Sequence, residues 1–150
     1  MPRHLLLLLV IVLSGLVAAV GHASTHPALD CGQARMQTQN GNQLFVSGGG
    51  PGCLYRAFAA RCRAASFVVT LHGVDTAGSI RFRVVPAPRC HVLVLGRNHV
   101  FGANRTTTWS ERCGRLGRRA EGVAVMGCLG RIGDFLLSPP SAPNVPGTRY

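Results

Sequence analysis

Six cysteines constrain this chain more than any other feature: Cys31, Cys53, Cys62, Cys90, Cys113 and Cys128. An even number in a short exported chain is typical of a disulfide framework, although six cysteines allow fifteen connectivities. No two of them form a C-x-x-C pair, which disfavours a thiolate metal site. The sequence therefore predicts three disulfides, no metal site and no cofactor.

One pairing can be predicted from the strand pattern. Cys113 and Cys128 each end a predicted strand beside the same loop, so we expect them to face each other across a hairpin. Cys53 and Cys62 should not pair, because in a helix they would lie about 13 Å apart along the axis, on opposite sides.

The first 23 residues have the pattern of a cleaved signal peptide. An unbroken apolar run spans Leu5 to Leu13, and the small residues Gly21 and Ala23 suit a signal peptidase, so cleavage is expected before Ser24. The alternative is a membrane anchor, but a spanning helix needs about 20 apolar residues and this run is shorter. We expect a secreted, extracellular product with no stable membrane insertion.

The remaining chain is predicted to form one domain. Residues 24–138 hold all six cysteines and suit a single disulfide-bonded, β-rich domain. Residues 139–150 form a proline-rich C-terminal tail, which we expect to be extended. The domain organisation is therefore a signal peptide (1–23), the domain (24–138) and the tail (139–150).

Alternation with a period of two dominates the domain. Phe67, Val69 and Leu71 alternate with less apolar residues, and Ile80, Phe82 and Val84 alternate with Arg81 and Arg83. This pattern predicts a hairpin with one buried face and two arginines on the other. Asn40-Gly41 predicts a tight turn after a polar edge strand, and the alanines of residues 53–65 favour one short helix.

The other segments complete a mainly β fold. Further strands are predicted at Cys90–Leu95 (central and covered on both faces), Arg105–Arg112, Val123–Leu129 and Ile132–Leu137; loops at Gly48–Gly52, Gly96–Asn104 and Gly114–Gly122. We expect a small, disulfide-stapled, antiparallel β-sandwich or open barrel.

The charge is strongly positive. All 16 basic residues are arginines against five acidic ones, giving a formal net charge of +11, and loss of Arg3 with the signal peptide leaves +10. Such a field concentrates polyanions near a surface. GC-biased coding explains arginine in place of lysine but does not explain the scarcity of acids, so functional charge and coding bias both remain open.

The densest charge cluster is predicted to lie in the Gly114–Gly122 loop and its border: Arg112, Arg115, Arg118 and Arg119. Guanidinium groups grip sulfate or phosphate in bidentate fashion, so these four are candidate polyanion-binding residues. Two alternatives are proteolytic processing at the dibasic Arg118-Arg119 and a simple solvated turn.

No motif names a reaction, and no catalytic residue is identified. A small secreted ribonuclease using His72 and His91 as acid and base is the main enzymatic alternative, and a structural extracellular protein is a third. Asn104-Arg105-Thr106 is an N-glycosylation sequon, relevant if the source is a eukaryote or its virus. The favoured hypothesis is a secreted basic binding module whose partner is an anionic polysaccharide, a nucleic acid or a cell-surface protein.

Overall fold

A computed structural model describes residues 27–140 as one helix and eight strands. The elements are β1 (Leu29–Asn40), β2 (Gln43–Val46), α1 (Gly50–Ala59), β3 (Ala65–His72), β4 (Thr76–Val85), β5 (His91–Val100), β6 (Arg105–Arg119), β7 (Gly122–Cys128) and β8 (Phe135–Ser138). The predicted signal peptide and nearly all of the predicted tail lie outside the described residues. No helix within residues 27–140 is long and apolar enough to cross a membrane.

The strands form a closed barrel in the order β1-β2-β8-β7-β6-β5-β4-β3. The mainly β fold is confirmed, but the sheet is closed rather than open and is not wholly antiparallel. The β1–β3 and β2–β8 pairs are parallel. The chain makes this possible by returning through β2 and α1 before β3, which brings β3 alongside β1 in the same direction.

The barrel interior is filled by the apolar residues that the alternating pattern predicts to face inward. Phe67, Val69, Phe82 and Val84 are buried, and Arg81 and Arg83 point outward, as predicted. Burial of each large apolar side chain stabilises the fold by about 1.5–3 kcal/mol. Among the described residues, the largest fully buried side chains are Phe67, Phe82, Leu44, Leu54, Leu137, Val46, Val69, Val92, Val94, Val125 and Cys113.

The helix α1 packs against one end of the barrel and buries Leu54 and Ala57 there. It begins three residues before the predicted start, because the segment expected to be a loop supplies its first turn, with a proline that tolerates that position. It also ends earlier than residue 65. Arg61 and Cys62 adopt positive φ angles of 55° and 56°, which end the helix despite the alanines that follow.

Three disulfides join Cys31 to Cys53, Cys62 to Cys90 and Cys113 to Cys128, and no cysteine is free. The Cys113–Cys128 prediction is confirmed, and Cys53 does not pair with Cys62, as expected. Cys31–Cys53 and Cys62–Cys90 lie at the end of the barrel that α1 covers, because Cys53 belongs to α1 and Cys62 to the segment after it. Cys113–Cys128 joins the middle of β6 to the last residue of β7.

Several predicted loops belong to strands. β5 continues to Val100 and β6 runs to Arg119, so most of the 96–104 and 114–122 segments lie in the sheet. Pairing with β7 accommodates the glycines of β6, and Gly127, with a φ of 69°, lies opposite Gly114. The outward Leu93 and Leu95 of β5 are half-buried rather than covered, because only one face of a barrel strand meets the core.

A tight turn follows the first strand as predicted, but it lies one residue later than Asn40-Gly41. Asn40 pairs with Gln43, and Gly41 and Asn42 form the turn, with Gly41 at a φ of 56°. The first strand is not a simple edge strand. Its early residues pair with β3 and its later residues with β2, with a register shift between Met36 and Thr38.

Candidate functional site

Four exposed arginines converge on the outer surface of β4, β5 and β6. Arg83 lies opposite Leu93, and Leu93 lies opposite Arg112, so the three form one cross-strand row. Residues directly opposite each other in an antiparallel pair share a face of the sheet. Arg81 and Arg97 occupy the following rows on the same face. We call Arg81, Arg83, Arg97 and Arg112 the outer basic wall.

The wall is compact. Strands lie about 4.8 Å apart and residues rise about 3.3 Å each, so the four Cα atoms fall within a patch of about 10 Å by 13 Å. The side chains between them are aliphatic or hydroxylic: Leu93 and Leu95 are half-buried, and Ser110 is exposed. None of the four guanidinium groups therefore has a carboxylate beside it in its cross-strand row.

The five carboxylates lie elsewhere. Glu111 points into the barrel, where its two oxygens accept hydrogen bonds from the backbone N–H groups of Gly130 and Ile132, at 3.0 and 2.8 Å. Asp30 and Asp134 also accept backbone N–H groups, from Gly32 and Cys128. The remaining two, Asp75 and Glu121, occupy turns at the ends of strands. None of the five neutralises the wall from within it.

The structure separates the arginines that the sequence grouped in one loop. Arg112 belongs to the outer basic wall, and Arg115 and Arg119 continue along β6 as exposed residues on one side of the strand. Arg119 also donates to the Met126 Sδ at 3.5 Å. Arg118 points to the opposite face of β6 from Arg119 and lies at the α1 end. Its guanidinium carbon is 6.0 Å from the centre of the Tyr55 ring.

Arg118 and Arg119 also line a cleft beside α1. The cleft has a volume of about 410 Å³ and is bordered by Gly49, Gly52 and Arg56 of the helix start and first turns. The first helical turn contains no acidic residue and no side-chain cap. This cleft is thus a second concentration of positive charge, distinct from the wall.

Sequence reasoning missed Arg81, Arg83 and Arg97 as partners of Arg112. Alternation alone showed that Arg81 and Arg83 face outward, but only the register of β4, β5 and β6 brings them beside Arg112. The available signal was the succession of two hairpins, in which consecutive strands are usually neighbours.

The two histidines of the ribonuclease alternative lie at opposite ends of the barrel. His72 is opposite Ala77 and His91 is opposite Val85, and these two β4 residues are eight positions apart. At about 3.3 Å per residue, the separation exceeds 25 Å. One histidine pair cannot serve as acid and base at a single phosphodiester across that distance, because both groups must reach the same reacting atoms.

Asn104 lies in the exposed turn between β5 and β6. Its φ is 44°, and its backbone N–H donates to the Phe101 carbonyl at 3.1 Å. The side chain is exposed, so the turn presents the sequon to solvent. Glycosylation at this asparagine stays a prediction.

Within residues 27–140 no three histidine, cysteine or acidic side chains are grouped as metal ligands. No protein-family model matches the chain, and no curated protein or solved structure is significantly similar to it.

Proposed function

We propose that this protein is an exported, disulfide-bonded barrel that binds anionic polysaccharide through the outer basic wall. The sequence supports export through the signal-peptide pattern of residues 1–23. The three disulfides are consistent with an oxidising compartment. Polyanions of that compartment are the partners that a +10 product would attract over a distance.

The observation that carries the proposal is the row of Arg83, Leu93 and Arg112, with Arg81 and Arg97 in the next rows. Four guanidiniums on one rigid patch can engage several anionic groups of one chain at once. Each can donate two parallel hydrogen bonds to a sulfate, carboxylate or phosphate. Simultaneous contacts release several counterions from one ligand, which scattered arginines cannot do.

The wall favours polysaccharide over single-stranded nucleic acid. Proteins that bind single strands place aromatic side chains where bases can stack. The positions among the four arginines are filled by Leu93, Leu95 and Ser110, and Val68 lies beside Arg81 on β3. A surface of aliphatic and hydroxyl groups offers charge recognition without a stacking platform, which suits a sulfated or carboxylated sugar chain.

The test is the salt dependence of heparin binding. In the variant Arg81→Gln/Arg83→Gln/Arg97→Gln/Arg112→Gln, the slope of log affinity against log salt should become shallower by about three to four, since each arginine contacts about one anionic group. Isothermal titration at several salt concentrations measures the slope. Exposed surface substitutions change stability little, so circular dichroism should be unchanged.

The matched control replaces four other exposed arginines by glutamine: Arg61, Arg63, Arg105 and Arg131. It removes the same charge from outside the wall, and its slope should change by less than about one. A third variant, Arg115→Gln/Arg118→Gln/Arg119→Gln, tests whether binding extends along β6. Equal losses in the wall variant and the control would refute a localised site. Tighter binding of poly(U) than of heparin, lost in the wall variant, would replace polysaccharide with nucleic acid.

A further inference from the structure

The end of the barrel opposite α1 opens into a concave cavity of about 480 Å³. The helix covers only the other end, and this mouth is bordered by residues of the β1–β2 and β3–β4 turns and by Ile132 of the β7–β8 segment. Sites for small molecules are typically cavities of about 300–1,000 Å³, and mouths of β-barrels are among their preferred places. The size and position of the cavity fit a small ligand.

The floor of the mouth is aromatic and rigid. The Trp109 and Phe135 rings stack with centres 6.0 Å apart and planes 5° from parallel. The Trp109 ring lies directly on Gly96 of β5, where a Cβ atom would overlap the indole. Because Gly96 has no side chain, the Trp109 ring can lie flat against the backbone of β5. Trp109 is only partly buried and lines the cavity.

The sides of the mouth combine apolar and amide groups. Leu71 and Ile80 extend the apolar surface, and the side chains of Gln37, Asn42 and Asn98 bring amides to the cavity. Asn42 is held by donating to the Ile132 carbonyl. Amides both donate and accept hydrogen bonds, so they suit a ligand with a polar but uncharged edge.

The charge of the mouth differs from that of the rest of the surface. Among the described residues that line it, none is arginine or carboxylate, and the one titratable side chain is His72. The chain as a whole carries 16 basic residues. We would expect an anion-binding site in this protein to include some of these arginines, and none of them lines this cavity.

We propose that the barrel mouth binds an uncharged small molecule with a flat apolar body and a hydrogen-bonding edge. The body stacks on Trp109 beside Phe135, and the edge meets the amides on the Asn98 side of the cavity. This site is separate from the outer basic wall, so the two functions can succeed or fail independently.

The test uses 2-naphthol as the probe, because it has a flat apolar body and one hydroxyl edge. Trp109 is the only tryptophan, so its indole N–H gives one cross-peak in an ¹H–¹⁵N spectrum. That cross-peak should shift saturably with 2-naphthol, and the wall variant should bind it unchanged. 2-Naphthalenesulfonate, with the same body and a negative charge, should bind the mouth at least tenfold more weakly. No saturable shift, or an equal affinity for the sulfonate at this cross-peak, would overturn the proposal.

Two variants locate the binding. Leu71→Arg should weaken 2-naphthol binding at least tenfold by filling the mouth with a charged side chain. Its matched control is Val74→Arg, which adds the same charge at a 98% exposed position in the neighbouring turn. Asn98→Ala tests the same site if Leu71→Arg fails to fold. It should weaken the binding of 2-naphthol but not the binding of naphthalene, which has no hydroxyl. If Leu71→Arg and Val74→Arg bound 2-naphthol equally well, the ligand would lie elsewhere. The same would follow if Asn98→Ala bound 2-naphthol as well as the parent protein does.

Discussion

Glu111 is a buried acid that anchors a loop by its hydrogen bonds. It is 5% exposed, and its carboxylate accepts from both Gly130 and Ile132 in the segment between β7 and β8. Glu111→Gln keeps the shape but turns an NH₂ group toward one of these N–H donors. An unsatisfied buried donor costs about 1–3 kcal/mol, so the free energy of unfolding should fall by that amount.

The measurement is urea unfolding with the disulfides intact, and the chain supplies its own control. Glu121 is the only other glutamate and lies exposed in the β6–β7 turn. Glu121→Gln should change the stability by less than about 0.5 kcal/mol. Equal stabilities of the two variants would mean that the carboxylate of Glu111 is replaceable in the loop.

Alternation predicts the direction of individual side chains well. Phe82 is buried and Arg81 exposed because adjacent residues of a strand point to opposite faces, a rule that needs no tertiary information. The inward turn of Glu111 could not be predicted in this way. Its partners are backbone groups 19 and 21 residues away, and nothing local to Glu111 indicates that they return to it.

The junction between α1 and the barrel depends on the absence of one side chain. A Cβ atom at Gly50 would overlap the ring of Phe67, which is 1% exposed. Gly50→Ala should therefore lift the helix start and lower the free energy of unfolding by about 1–3 kcal/mol, as overpacking does.

Gly52 is the matched control, in the same helical turn. Its added Cβ would meet only the Arg56 guanidinium, at 3.6 Å. Alanine is a better helix former than glycine by up to about 1 kcal/mol, so Gly52→Ala should leave stability unchanged or raise it. Thermal unfolding followed by circular dichroism compares the two; loss of stability in both variants, to the same extent, would contradict the packing argument.

The existence of elements was more predictable than their limits. Propensity and period predict the helix and nearly every strand, but they end β6 at Arg112, whereas the strand continues through Gly114 and Gly117 to Arg119. Glycine-rich segments read as loops because glycine weakens isolated strands. Here β7 supplies the ladder along Arg115 to Arg119, and that long-range pairing outweighs the local preference.

The closure of the sheet and the parallel pairs lie beyond what local sequence patterns determine. β1 and β3 are joined by more than 20 residues of chain, and their parallel register follows from where α1 packs. The candidate wall has the same origin, because Arg83 and Arg112 become neighbours only through the register of β4, β5 and β6. The charge itself, by contrast, was evident from composition.

The molecule is cross-linked unevenly, and this should govern how it opens. Two of the three disulfides, Cys31–Cys53 and Cys62–Cys90, lie at the α1 end, and the third joins the middle of β6 to the end of β7. Cross-links restrict the open states available to the segments that they join. Local opening should therefore begin at the mouth, and this opening would let the proposed ligand enter its site.

Hydrogen exchange along β4 tests this directly, because β4 is paired on both sides from Ala77 to Val84. Its two halves share one ladder and differ in their distance from the disulfides. Corrected for intrinsic rates, amides of residues 76–80 should exchange at least tenfold faster than those of residues 81–85, a difference of about 1.4 kcal/mol in opening free energy. The corresponding halves of β5, residues 96–100 and 91–95, should show the same order. Equal protection of the two halves would mean that the barrel opens as one unit, and faster exchange beside α1 would mean that the helix, rather than the mouth, is its weaker end.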